Sequence, residues 1–253
     1  MNQTEELIDY LLQMGDSAMI TGQRLCELCG HAPAIEEELA LMNVGLDLVG
    51  QARNWLEYAA ELLNDGRNAD CLAFLRGEHL YRNLLLVEQP NGDYAQTCVR
   101  QFLYDAWHFH RLQGLQHSSD KMVAAIANKA LKEVTYHLRR SSEWMLRLGD
   151  GTDYSHQRMQ IALDQLWRFT HELCTVSERE QRQYQAGLSS DPQHQVNAWR
   201  GTVESVLVRA TLALPPPARY FYLSGIEGRH TENLGPLLAN MQSLPRAYPD
   251  ARW

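Results

Sequence analysis

The sequence predicts an all-α fold: a bundle of four long helices followed by additional C-terminal helices. Apolar residues recur every three or four positions through most of the chain, Gly and Pro separate these segments, and no segment has the pattern of a paired strand. The clearest helix is predicted over 119–148, with Ser118 or Ser119 as its N-cap, Asp120 in its first turn and Gly149 at its end. Its expected inward stripe is Met122, Ile126, Ala130, Val134, His137, Ser141, Met145 and Leu148.

The first two helices are predicted over 4–28 and 33–63. Their expected inward stripes are Leu7, Leu11, Met14, Ala18, Leu25 and Leu28 in the first, and Leu39, Met42, Leu46, Val49, Leu56, Ala60 and Leu63 in the second. Gly15 and Gly22 leave space for a neighbouring helix to approach closely. Asp16 lies two positions after a stripe residue, about 200° around the helix, so we expect its side chain to point away from the core.

A shorter helix is predicted around 70–80, and the apolar segment 84–87 is expected to be a packed loop, because a single strand has nothing to pair with. The next long helix is predicted over 94–115, with Asp93 as its N-cap. Asp105 borders the apolar stripe of this helix. A buried acid needs a partner, so we expect one there.

Helices are also predicted over 154–176 and 194–213, and the prolines 215–217 end helical structure. A last short helix is expected to begin near Pro236 and to end before Pro245. A chain of 253 residues can bury a large core. We therefore expect a single helical domain over 1–253, with a core bundle at about 4–149 and a C-terminal helical extension at about 153–253.

Composition excludes several classes of function. A formal net charge of −8 argues against nucleic acid as the main partner. No apolar run approaches the roughly 20 residues of a membrane span, and the N-terminal segment lacks the basic region of a signal peptide, so a cytoplasmic location is predicted. The five cysteines are scattered, and the pair Cys26 and Cys29 has no second CxxC to complete a zinc site. We expect reduced cysteines that act as small buried hydrophobes.

Acids and histidines on the long helices resemble part of a carboxylate di-metal site. Such a site takes an acid from each of two helices and a Glu-x-x-His from each of two others. The candidate positions in this chain are Asp47, Leu48, Gln51, Asp105, Glu133, Val134 and His137. Asp105 and His137 match the required pattern, whereas the first helix has no acid on its stripe and the second has no histidine. The set is too incomplete to hold two metal ions.

Two hypotheses account for these residues. In the first, Asp105, Glu133 and His137 are paired polar groups in the centre of the bundle, and this chain binds no metal. In the second, Asp47 joins them in an irregular metal site of an oxygenase.

Other chemistries have weaker support. The sequence contains no G-x-S-x-G motif and no Gly-rich phosphate loop. A bundle that binds an acyl-CoA would need a basic patch for the phosphates, which is missing. His230, Thr231 and Glu232 form a loop that is a candidate for contact with a ligand or a partner.

Eight segments carry a family resemblance: Gly30–Pro33, Gly45–Asn54, Tyr58–Glu61, Asn83–Gly92, Asp105–His108, Lys132–Leu138, Leu166–Phe169 and His230–Pro236. They resemble the PaaC-type subunits of ring-1,2-phenylacetyl-CoA epoxidase, a bacterial multicomponent monooxygenase. The similarity spans nearly the whole chain, and 83–92 is its most specific part. The resemblance implies a ferritin-like fold, in agreement with the predicted bundle.

The resemblance also implies a structural, non-catalytic subunit in aerobic phenylacetate catabolism. A homologous subunit would carry the di-iron centre and the substrate pocket, so this chain would bind no cofactor itself. A small bridging subunit and a reductase with flavin and iron–sulfur cofactors would be further partners. Asp105 and His137 match positions where the catalytic relative keeps ligands, whereas Leu48, Gln51 and Val134 stand where it has Glu, His and Glu. These positions are therefore predicted to be vestigial.

Overall fold

The computed structural model describes residues 3–217 and 223–249 and confirms the predicted all-α fold. Its α-helices are α1 (Gln3–Cys26), α2 (Ile35–Leu63), α3 (Ala69–Phe74), α4 (Tyr94–Leu115), α5 (Lys121–Gly149), α6 (Asp153–Trp167), α7 (His171–Cys174), α8 (Glu178–Gln185), α9 (Pro192–Arg209) and α10 (Leu234–Ala247). Short 3-10 turns lie at Glu78–Leu80, Arg168–Thr170 and Gly225–Glu227. Within the described ranges there is no strand, only one isolated bridge between Ser224 and Arg229. Over the same ranges, no helix is both long and apolar enough to cross a membrane.

The chain divides into two compact units. The first unit contains Met1–Pro90 and Leu223–Trp253, and the second contains Asn91–Tyr222. The C-terminal segment therefore belongs with the N-terminal helices, whereas the sequence placed a division near residue 149. The expected single domain over 1–253 stays a prediction.

In the first unit, α1 and α2 pack closely at glycines, as predicted. A Cβ atom added to Gly15 would lie 2.9 Å from Cδ2 of Leu56. A Cβ atom added to Gly22 would lie 3.1 Å from the backbone oxygen of Gly45. Larger residues at these two positions would therefore push the helices apart.

Two of the predicted helix faces are wrong. Asp16 was expected to point outward, yet it is 1% exposed because the Arg76 guanidinium binds its carboxylate and the Arg82 N–H donates to its Oδ2 at 2.8 Å. Leu39 and Leu46 were expected inside, yet each is 62% exposed. α2 has apolar residues on more than one face, so spacing alone does not identify the buried one. Its buried residues are Leu41, Val44, Gly45, Leu48, Gln51, Ala52, Trp55, Leu56, Ala59 and Ala60.

In the second unit, α4 has the predicted bounds and Asp93 caps it, as expected. The start of α5 differs from the prediction. The cap is Asp120, whose carboxylate accepts from two first-turn N–H groups at 2.9 and 3.0 Å, rather than Ser118 or Ser119. Met122 was expected inside but is 47% exposed. The helix begins later than predicted, and its first stripe position lies at the surface.

The C-terminal helices are shorter or longer than predicted. The helix expected over 154–176 ends at Trp167 and continues only as a 3-10 turn and the short α7. Pro245 lies in the last turn of α10 instead of beyond its end. A proline near a helix end removes a single backbone hydrogen bond, and α10 also packs against α3.

Candidate functional site

The second unit buries Asp105 of α4 and His137 of α5, each with 1% exposure. The Gln101 amide donates to Oδ1 of Asp105 at 2.7 Å, so the prediction that this acid has a partner is confirmed. The His137 ring and the Ser141 hydroxyl both lie near the carboxylate. The two helices thus share a buried polar cluster.

Burial controls the ionisation of this cluster. Burial raises the pKa of Asp105 to about 6 and outweighs the lowering effects of His137 and other polar neighbours, Arg140 among them. Burial also lowers the pKa of His108, with His137 as a second cause, to about 3. The His108 ring is therefore neutral at neutral pH. Neither nitrogen of this ring has a hydrogen-bond partner among the described residues. Sequence analysis did not select His108 as a candidate site residue.

The remaining candidate positions of α5 add little to a metal site. Val134, three residues before His137, is fully buried and has no donor atom. Glu133 is half-buried. Within residues 3–217 and 223–249, no three His, Cys, Asp or Glu side chains converge in a way that could hold a metal ion. One carboxylate and one imidazole beside a guanidinium do not fit a di-metal centre, which needs several carboxylates.

The candidate positions of α2 lie in the first unit. Leu48 is fully buried and Gln51 is 2% exposed, while Asp47 is half-buried. An isobutyl side chain cannot bind a metal ion. A neutral amide offers iron a much weaker ligand than imidazole does.

A second buried cluster, around Glu88 of the first unit, was missed by sequence analysis. The carboxylate is fully buried and accepts from the Thr231 N–H at 2.6 Å, from Nδ1 of His230 at 2.9 Å and from the Asn83 amide at 3.1 Å. The Arg24 guanidinium donates to the Glu88 backbone oxygen at 2.6 and 3.2 Å. Glu88 therefore fastens the C-terminal loop to the 83–92 segment and to α1.

The residues of this cluster lie in two segments that carried the family resemblance, 83–92 and 230–236. The signal for it was an acid at the end of the apolar run LLLVE, because a buried acid requires partners elsewhere in the chain. His230 and Thr231 point inward, and Glu232 is exposed. A contact of this loop with a ligand or partner stays a prediction.

The cysteines are only partly as expected. Cys98 is buried, as predicted, but Cys29 is exposed and Cys26 at the end of α1 is half-buried. Burial, with a smaller contribution from Cys29, raises the pKa of the Cys26 thiol.

Comparison with known proteins supports the resemblance. Residues 1–253 match the family described as "Phenylacetic acid catabolic protein". The chain is 49% identical over 248 residues to one of the subunits of the 1,2-phenylacetyl-CoA epoxidase of Escherichia coli (strain K12), across 98% of this chain and 99% of the relative. These matches confirm the resemblance and the ferritin-like helical fold class. The chain belongs to the phenylacetic acid catabolic protein family.

Proposed function

We propose that this chain is the non-catalytic structural subunit of a phenylacetyl-CoA 1,2-epoxidase complex in aerobic phenylacetate catabolism. A relative with 49% identity is named as a subunit of that epoxidase. The observation that carries the proposal is the chemistry of three buried positions. Leu48, Gln51 and Val134 offer no carboxylate or imidazole where the resemblance places Glu, His and Glu of a catalytic relative.

In this proposal the polar residues of the second unit have a structural role. Asp105 is bound by Gln101 and lies near His137, and the Arg140 guanidinium adds a positive charge that would repel a metal cation. Iron in the homologous partner subunit supplies the oxygen chemistry. A small bridging subunit and a flavin and iron–sulfur reductase complete the complex.

The surface of α2 supports a docking role. Ile35 is 72% exposed, and Leu39 and Leu46 are each 62% exposed, at positions that fall along one side of the helix. Exposed apolar patches on soluble proteins commonly mark protein interaction sites. We assign this stripe to the homologous catalytic subunit.

Coexpression with the catalytic epoxidase subunit, followed by size-exclusion chromatography, tests the proposal. We expect a complex that stays together at micromolar concentration. Leu46→Glu should weaken it at least tenfold because a charge would be buried in an apolar interface. The control is Val208→Glu on α9, which changes an apolar residue with 76% exposure and should have no effect. Separate elution of the unmodified chains would refute the structural role.

The second candidate is a di-iron oxygenase subunit with an irregular site made by Asp47, Asp105, Glu133 and His137. The shared burial of Asp105 and His137 favours it. Iron analysis of the chain purified alone after iron supplementation separates the two functions. We expect far less than one iron per chain. Stoichiometric iron that disappears in His137→Ala would support the oxygenase instead.

A further inference from the structure

The second unit contains a cavity of about 310 Å³ that is separate from the Asp105 cluster. The end of α6, α7, α9 and the segment 214–217 surround it. Small-molecule sites have volumes from about 300 to 1,000 Å³, so this cavity suits a molecule with one ring. The segment 166–169, which carried part of the resemblance, contributes Trp167 to its wall.

Two stacked indole rings contribute to the apolar lining of the cavity. The ring centroids of Trp167 and Trp199 are 6.1 Å apart, and the ring planes differ by 29°. The Trp199 Nε1–H donates to the Leu103 backbone oxygen at 3.1 Å, which holds the ring in place. Val203 and Pro215 extend the apolar lining. A planar aromatic ring packs well against such a surface.

Polar side chains also line the cavity. Arg200 is exposed there, and its guanidinium lies near the Cys174 thiol. Among the described residues no carboxylate forms an ion pair with Arg200, although Glu204, one turn later on α9, also lines the cavity. His171 contacts the Thr175 hydroxyl at 3.2 Å, and burial lowers its pKa.

We propose that this cavity binds a small aromatic carboxylate. The ring packs against Trp167 and Trp199, and the carboxylate accepts hydrogen bonds from the Arg200 guanidinium. Arginine binds carboxylates through two parallel N–H donors, which fixes the orientation of the acid. The site does not depend on the subunit role proposed above, because it uses none of the residues assigned to the metal positions or to the α2 surface.

Titration of the full chain with benzoate tests this proposal. In amide and indole NMR spectra, we expect saturable shifts of the Trp167 and Trp199 indole signals, with a dissociation constant in the millimolar range or lower. Arg200→Gln should weaken binding at least tenfold. The control is Arg209→Gln, which removes another exposed arginine of the same helix and should leave binding unchanged.

Two further probes separate charge from shape. Benzyl alcohol keeps the ring without the charge, and cyclohexanecarboxylate keeps the charge without the aromatic plane, so both should bind more weakly than benzoate. Equal binding of either probe contradicts the proposal. So does unchanged benzoate binding by the Arg200→Gln chain, or the lack of saturable binding by the unmodified chain.

Discussion

In the first unit the buried acid Glu88 has hydrogen-bond partners on both carboxylate oxygens, whereas in the second unit the buried His108 ring has none among the described residues. Glu88 accepts hydrogen bonds from a backbone N–H, an imidazole and an amide. Asp105 accepts from the Gln101 amide on Oδ1, and the Ser141 hydroxyl also lies near its carboxylate. His108 has no hydrogen-bond partner among the described residues.

Buried polar groups therefore affect stability differently according to whether they have hydrogen-bond partners. A fully paired acid holds segments together, and the loss of one partner leaves a costly uncompensated charge. A buried polar group without a partner contributes less to stability, because its desolvation penalty is not offset by a hydrogen bond. The following predictions test that contrast in order of expected effect.

The largest effect is expected from Glu88→Ala. This change leaves His230 and the Thr231 N–H buried without their acceptor, so the free energy of unfolding should fall by about 3–5 kcal/mol. Urea unfolding followed by circular dichroism measures the loss. Glu57→Ala removes an acid whose ion pair with Arg53 is exposed, and it should leave the unfolding midpoint unchanged. Equal losses of unfolding free energy in the two variants would contradict the stabilising role of the buried acid.

Asp105 should make stability depend on pH. Burial raises its pKa from 3.8 to about 6, so the folded chain binds this proton more tightly than the unfolded chain does. The resulting stabilisation is fully present below pH 3.8 and is lost as pH rises through about 6. At 1.36 kcal/mol per pKa unit, the loss is on the order of 3 kcal/mol. Asp105→Asn should flatten the unfolding free energy over this range, measured by urea unfolding at several pH values. An unchanged slope would mean that another group titrates there.

The smallest changes in unfolding free energy are expected when either of two buried histidines is replaced. His230→Leu leaves Glu88 without its imidazole partner and should cost about 2 kcal/mol or more. His108→Leu replaces a ring without hydrogen-bond partners and should stay within about 1 kcal/mol of the unmodified chain. Parallel thermal and urea unfolding of the two variants gives the difference. A large loss of unfolding free energy in His108→Leu but not in His230→Leu would contradict this prediction.

The sequence predicted local structure best where local chemistry decides it. The bounds of α4 and its cap at Asp93 follow from helix signals within a few residues. A partner for Asp105 was also expected, because a buried acid requires one. Only the structure identified that partner as Gln101. The predicted exposures of Asp16 and Leu39 were wrong. For both residues, burial depends on whether a segment distant in the sequence packs over that face of the helix.

The sequence by itself determined that the chain is helical, where most long helices lie, and that coordinating side chains are missing from candidate metal positions. Only the tertiary structure decided which face of α2 is exposed, and that Glu88 binds a loop 142 residues away. Helix signals act over one or two turns, so a linear pattern contains them. Contacts between distant segments depend on how the whole chain packs, and no local periodicity encodes their pairing.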